Sequence, residues 1–214
     1  MNEKVGLIRQ PFSNMPNLCY LEKPESWPPP PDDSRCFDLW DKYGMFPNVR
    51  AHSLMVACIA TALAEKAAKL NFPVDVQSVR ASALLHDLAK SWCIKHGGSH
   101  AMLGASWTLA ETSNYGIAQG VMLHVDWPWQ LPEEKDICKL PFFVMYADKR
   151  VKHAECVTIE DRYEDILVRY GTTEKARAGI RQTWKQIQQL EMELSKILEW
   201  DLDEYSFDCG GLVD

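Results

Sequence analysis

Four histidines and two aspartates are the residues of this chain best suited to chemistry: His52, His86, Asp87, His100, His124 and Asp148. Neutral imidazole and carboxylate are the usual ligands of borderline first-row metals such as Fe, Mn, Co, Ni and Zn. All six fall near the inward faces of what read as separate helices, and facing helices are a natural frame for a dinuclear site. The adjacent His86 and Asp87 would project about 100° apart on one helix. Both still serve a metal pair if the Asp87 carboxylate bridges the two ions. A lone inward histidine is more often a core residue whose ring nitrogens bond to backbone carbonyls. It is the set of six that points to metal.

Helices are what the chain supplies to hold these residues. His52 lies in a stripe with Val49, Met55, Val56, Ile59, Leu63, Ala67 and Leu70, which follows Pro47 at the three- and four-residue steps of one helix face. Before it, Asp33 or Ser34 can cap a short helix, and Gly44 offers a left-handed stop. From about Val76 a further helix is predicted, with Val79, Ala83, His86, Asp87 and Lys90 recurring on one face. Gly97 and Gly98 interrupt it, and Ser99 can cap a helix carrying His100, Leu103, Gly104 and Trp107. A short helix is expected to end near His124. The Trp127-Pro128-Trp129 segment then reads as a turn, because proline disfavours helix at the residue before it.

A helix from about Glu133 or Pro141 would carry Met145 and Asp148, and residues 173–200 read as one long amphipathic helix that closes the bundle. No segment alternates apolar and polar residues as a half-buried strand would. The expected fold class is therefore all-α: one helical-bundle domain over residues 34–200 and a tail over 201–214. Residues 1–33, which include the run Pro28 to Pro31, are expected to form an extended Pro-rich arm.

The bulk properties narrow the function. With 214 residues and 46% hydrophobic content, one core is enough. A formal net charge of −7 provides no general cationic field for polymeric nucleic acid or an anionic membrane. A small phosphate ester stays open as the partner, since bound divalent cations can reverse the local potential inside one pocket. Seven cysteines, scattered and without a CxxC pair, read as reduced thiols. No stretch approaches the roughly 20 apolar residues of a membrane span. Met1 to Gln10 hold no run suited to a signal peptide, so a cytoplasmic location is expected.

Five segments resemble, in order, the motifs of the HD superfamily of metal-dependent phosphohydrolases: Ala51-His52-Ser53, Leu84-Leu85-His86-Asp87-Leu88-Ala89-Lys90, His100-Ala101-Met102-Leu103-Gly104-Ala105, Leu123-His124 and Tyr146-Ala147-Asp148. The resemblance runs from about Phe37 to Tyr170, and the order H…HD…H…H…D is its six-ligand version. It implies a bundle of the HD type with two divalent transition-metal ions, Fe or Mn foremost and Co, Ni, Zn or Mg as alternatives. One ion would be held by His52, His86, Asp87 and Asp148. The other would be held by the shared Asp87 with His100 and His124.

The activity implied is hydrolysis of a phosphate monoester or phosphoanhydride, a nucleotide-like small molecule, by a metal-activated water and without an organic cofactor. Asp87 and Lys90 are the residues expected to act catalytically. Lys90, one turn beyond His86, is placed to contact a phosphate oxygen or the leaving group. Within the superfamily the layout is most similar to the bacterial group that hydrolyses dinucleoside polyphosphates symmetrically, although Val125-Asp126-Trp127-Pro128-Trp129 stands where that group has Thr-Thr-Gly. The same ligand order fits two further readings: a mixed-valent di-iron oxygenase, and a nucleotide-binding module without turnover. A homo-oligomer is left open.

Outside the six, His96 reads as solvated in a Gly-bounded loop. His153, with Lys149, Arg150 and Lys152, reads as the basic end of a helix in preference to a phosphate clamp. Trp127 and Trp129 read as core before they read as a platform for a base. Arg162 reads as a surface ion pair in preference to a phosphate ligand.

Overall fold

A computed structural model describes residues 27–132 and 134–202. Helix α1 (Asp33–Lys42) starts where the Asp32 carboxylate accepts from the Arg35 N–H at 2.8 Å, one residue before the expected caps. Gly44, at φ +61°, takes the left-handed conformation that ends the segment. Helix α2 (Pro47–Lys69) opens on proline, which needs no N–H in the first turn. It is the axial element, and Val56, Ala57, Ile59, Ala60, Leu63, Ala64 and Ala67 along it are all fully buried. The many alanines let its neighbours approach closely.

Helices α3 (Val76–Leu85) and α7 (Leu140–Lys149) pack against α2, α6 (Tyr115–Leu123) packs on α3 and α7, and α5 (His100–Thr112) pairs with α6. Asp75, Ser99 and Asn114 each accept from the N–H three residues on, capping α3, α5 and α6. Where α6 crosses α3 and α7, Gly120 leaves no room: a Cβ there would lie within 2.3 Å of Leu140 Cδ2 and Ser82 Oγ. Helix α9 (Glu174–Leu198) is capped by Thr173 and closes the bundle through Ile187, Leu190, Leu194 and Leu198. Helix α1 is tied in by Trp40, whose indole N–H donates to the Leu84 carbonyl at 2.9 Å.

The all-α expectation holds, with three differences. The helix begun at Val76 does not run through Lys90. It stops at Leu85, residues 86–89 make a tight turn, and α4 (Lys90–His96) begins afresh. In that turn the Leu88 and Lys90 N–H groups donate to the carbonyls three residues back, Leu85 and Asp87, at 3.0 and 2.9 Å. Residues Leu84 to Ala89 are all fully buried, which no single helix face achieves with six consecutive side chains. A helix that the sequence reading did not delineate, α8 (Ile159–Tyr170), starts at the Thr158 cap. Between α7 and α8 lies a two-stranded antiparallel hairpin, β1 (Val151–Lys152) with β2 (Glu155–Cys156), in which Val151 pairs with Cys156.

Cys36, Cys93, Cys138 and Cys156 are free thiols, whereas Cys58 is disulfide-bonded. That corrects the reduced-thiol expectation at this position, and cysteine usage no longer argues for a compartment. No helix among the described residues is long and apolar enough to cross a membrane. The Pro-rich arm falls outside the described residues up to residue 26, and so does the tail from residue 203.

Candidate metal centre

Six separate backbone positions converge on one point inside the bundle. Helix α2 contributes His52, the tight turn contributes His86 and Asp87, and His100 is the first residue of α5. His124 sits at the C-terminal cap of α6, and Asp148 lies in the last turn of α7. Backbone carbonyls fix three of the rings. His86 Nδ1 lies 2.7 Å from the Ala83 carbonyl, His124 Nδ1 2.6 Å from that of Val121, and His52 Nδ1 3.0 Å from that of His153. A carbonyl only accepts, so each Nδ1 carries a proton and each ring turns its Nε2 toward the centre.

The Asp87 carboxylate stands between two groups. Its Oδ2 faces His86 Nε2 at 3.4 Å and His52 Nε2 at 3.9 Å. Its Oδ1 faces His100 Nε2 at 3.4 Å and His124 Nε2 at 3.8 Å. Asp148 Oδ1 closes the first group, 3.0 Å from His52 Nε2 and 3.7 Å from His86 Nε2. In the second group the two Nε2 atoms of His100 and His124 are 3.2 Å apart.

These separations suit divalent cations. Ligand bonds of about 2.1 Å place neighbouring ligand atoms about 3.0–3.4 Å apart in octahedral or tetrahedral geometry. His52, His86 and Asp87 could hold one ion, and Asp87, His100 and His124 another. Two atoms argue the same way independently: His86 Nε2 and Asp87 Oδ1 are buried without a hydrogen-bond partner. Such orphans cost about 1–3 kcal/mol each when nothing satisfies them.

The electrostatics keep the carboxylates charged. Burial opposes ionisation of Asp87, but His86, Lys90 and His124 outweigh it and hold its pKa well below the usual carboxylate range. For Asp148, burial is likewise outweighed, by Lys149 and then by His52 and His86. Burial lowers the pKa of His100 and takes that of His124 well below the ordinary imidazole value, with the charge on His86 adding to the fall at His124. Both rings are therefore held neutral. On His86 burial also works against charge, yet Asp87 and Asp148 leave its pKa raised.

Each carboxylate has a lysine partner. Lys90 Nζ lies 2.7 Å from Asp87 Oδ2, and Lys149 Nζ lies 2.5 Å from Asp148 Oδ2 and 3.2 Å from the His124 carbonyl. The break between α3 and α4 thus keeps Lys90 beside Asp87, although the continuous helix expected there is absent. Lys149, in the last turn of α7, and Arg150, at its C-terminal cap, form the basic helix end expected, but inside the protein. Lys149 is buried, and the fully buried Arg150 donates to the Val157 carbonyl at 2.7 Å and the Tyr146 hydroxyl at 2.5 Å. His153 serves through its backbone, holding His52, while its ring accepts from Arg169 at 3.1 Å. Trp127 is buried against Phe142, as core; Trp129 and His96 are exposed.

Arg162 is the residue that the sequence reading undervalued. It makes the expected ion pair, to Asp165 at 3.4 Å, but its side chain is only 13% exposed and lines two cavities at the centre. One is a cleft of about 540 Å³ bordered by Lys90, His100, His124, Trp127, Arg162 and Gln186. The other, about 110 Å³, is bordered by Asn48, His52, His153, Arg162, Arg169 and Tyr170. The available signal was the spacing of Arg162, Ile166 and Arg169, one face of an unrecognised helix.

Histidine and aspartate converging from five elements of a helical bundle define a metal-binding helical domain. The HD domain family matches residues 49–164, and the chain belongs to that family. Its members bind divalent metals and are generally hydrolase-like, which makes phosphohydrolase-type activity the coarse reading for this chain. A tRNA (cytidine(56)-2'-O)-methyltransferase of Thermoplasma volcanium is 25% identical over 177 residues, covering 81% of this chain. The match takes in 50% of that protein, so the chain spans about half the length of this curated relative. No solved structure matches the chain.

Proposed function

We propose that this protein hydrolyses a phosphate monoester or phosphoanhydride of a small, nucleotide-like molecule, using two divalent ions held by His52, His86, Asp87 and Asp148 and by Asp87, His100 and His124. The observation that carries this reading is the division of Asp87, with one oxygen toward each histidine pair. Bound ions at such a centre supply Lewis-acid stabilisation of phosphoryl charge and a water nucleophile at neutral pH.

The chain's own residues do the rest. Lys90 keeps its proton, because Asp87 outweighs the effect of burial and raises its pKa. It is thereby a permanent donor to a phosphoryl oxygen or to the leaving oxygen. Lys149 holds Asp148 in place, and the carbonyls of Ala83, Val121 and His153 keep the imidazoles in one tautomer. In the overall reaction water supplies the oxygen of the new P–O bond, the ester or anhydride P–O bond breaks, and the leaving oxygen takes a proton.

The methyl transfer in the Thermoplasma protein's name stays with that protein. Half of it lies outside the match, and tRNA would find no general cationic field on a chain of net charge −7.

The test is a panel of nucleoside monophosphates, dinucleoside polyphosphates and cyclic dinucleotides, with substrate loss and the phosphate, nucleoside, nucleotide or linear dinucleotide formed read by chromatography, using anaerobically purified protein with Mn, Fe, Co, Ni or Mg. Metal-dependent hydrolysis is the expected result. Substrate loss coupled to oxygen uptake, or tight nucleotide binding with no product after long incubation, would overturn the hydrolase reading.

A further inference from the structure

We infer that the small cavity beside His52 is a phosphate subsite built by Arg162 and Arg169, and that the substrate is a phosphate ester with a single organic end, which lies in the large cleft. This rests on the hydrolase reading and adds the substrate's shape and its direction in the site.

The two cavities meet at Lys90, Arg162 and Tyr170, which line both. They differ in size and chemistry. The cleft of about 540 Å³ has apolar walls at Val125, Pro128 and Ile166 and falls in the range of roughly 300–1,000 Å³ that small organic ligands occupy. The small cavity, about 110 Å³, lies below that range. It is about a fifth of the cleft's volume, room for one phosphate but below the size of sites that hold organic ligands.

Its walls are cationic in an acidic protein. Arg162, Arg169 and Lys90 border it with one carboxylate, Asp87, which pairs with Lys90 at 2.7 Å; among the described residues the carboxylate that pairs with the two arginines is Asp165. Asp165 takes Arg162 Nη1 at 3.4 Å and Arg169 Nε at 3.0 Å, and Lys152 Nζ lies 3.9 Å away. One carboxylate cannot neutralise three cations. Arg162 Nε, moreover, is buried without a hydrogen-bond partner. A guanidinium presents five N–H donors in a fixed fork that matches phosphate oxygens. The His153 ring accepts from Arg169 Nη2 and so holds that fork in orientation.

A phosphate with its metal-facing side toward His52 and Asp87 would thus meet arginine on its other side, and its ester oxygen would lead into the cleft past Lys90. A dinucleoside polyphosphate has one organic end too many for this arrangement. The preference expected here differs from that of the symmetrical dinucleoside-polyphosphate hydrolases, which the sequence layout resembles.

The experiment uses the full chain loaded with Mn. Inorganic phosphate binding is measured by calorimetry for the unaltered protein, Arg162→Gln and Arg169→Gln, with metal content and thermal melting checked for each. Hydrolysis of a nucleoside 5'-monophosphate is compared with that of a dinucleoside tetraphosphate. Losing a charge-assisted hydrogen bond should weaken phosphate binding about tenfold or more in each variant. The monophosphate should be turned over at least about a hundredfold faster than the dinucleoside compound. Arg169, 41% exposed, can be replaced without disturbing the core, so the test survives if Arg162→Gln fails to fold. If both variants bind phosphate as the unaltered protein does while esters are still hydrolysed, the subsite is wrong and the hydrolase reading stands. Turnover of the dinucleoside compound at a comparable rate would also overturn the inference. Arginine-dependent phosphate binding with no hydrolysis of any ester would instead retain the subsite and remove the hydrolase reading.

Discussion

At Asp87 a fully buried carboxylate faces four imidazoles and a lysine, and each of its oxygens has a different task. Removing it should affect both halves of the centre. Asp87→Ala is expected to lose both ions and all activity together, read by metal analysis of the purified variant, whereas loss of His100 alone should leave the ion on the His52 side. Lys90→Ala separates catalysis from metal binding. Lys90 Nζ is not a ligand while it is protonated, and it is a cation beside the proposed ion sites, so its removal should leave metal affinity equal or higher. Turnover should fall by about 10²-fold, the usual cost of one preorganised electrostatic donor. Full activity in a metal-replete Lys90→Ala would reduce the lysine to a counter-ion for Asp87 and remove it from the site.

The tight turn at residues 86–89 does what a helix could not, aiming two adjacent side chains inward, and the elements around it must fit closely to keep that aim. Gly120 is where the fit is tightest, one turn before His124. In Gly120→Ala the new methyl meets Leu140 Cδ2 and the Oγ of Ser82, which is itself bonded to the Ile117 carbonyl. Overpacking of this kind costs about 1–3 kcal/mol. Urea unfolding should register that loss, together with weaker metal binding on the His100 side; an unchanged midpoint would mean that Leu140 and Ser82 move aside freely. Much of this was legible in the sequence. The inward stripe around His52, the Ser99 cap before His100, and the proline turn after His124 are local signals, and they place three of the six residues on their elements. What was not legible depends on distant partners. The end of α3 at Leu85 is imposed by burial on every side, not by a breaker residue. Helix α8 has polar residues over most of its surface, and Arg162 becomes interesting only when α8 folds over the cavities. The burial of Arg150 likewise depends on Tyr146, Val157 and Glu191, up to 41 positions away.

At the scale of the whole molecule, the centre joins five elements that no single hydrophobic contact brings together, so metal occupancy and global stability should be linked. A ligand that binds only the native state stabilises it by about 2.7 kcal/mol at a hundredfold excess over its dissociation constant. Two such sites amount to roughly 5 kcal/mol, which for a chain of this size corresponds to a melting shift of about 10–20 °C. The sign of its pH dependence follows from His86. Its pKa is raised in the metal-free protein, so the stability that its proton contributes is complete below the ordinary histidine value and fades as pH rises through the raised one. An ion must displace that proton to reach Nε2. His100 and His124, whose pKa values are lowered, impose no such competition. The metal-induced rise in melting temperature should therefore be larger at about pH 8 than at about pH 6. Calorimetry of chelator-treated and Mn-loaded protein at the two pH values measures the difference directly. A shift that is absent at both would mean that the six residues are a polar core that stands by itself, with no metal required to hold α2, α5, α6 and α7 around the turn.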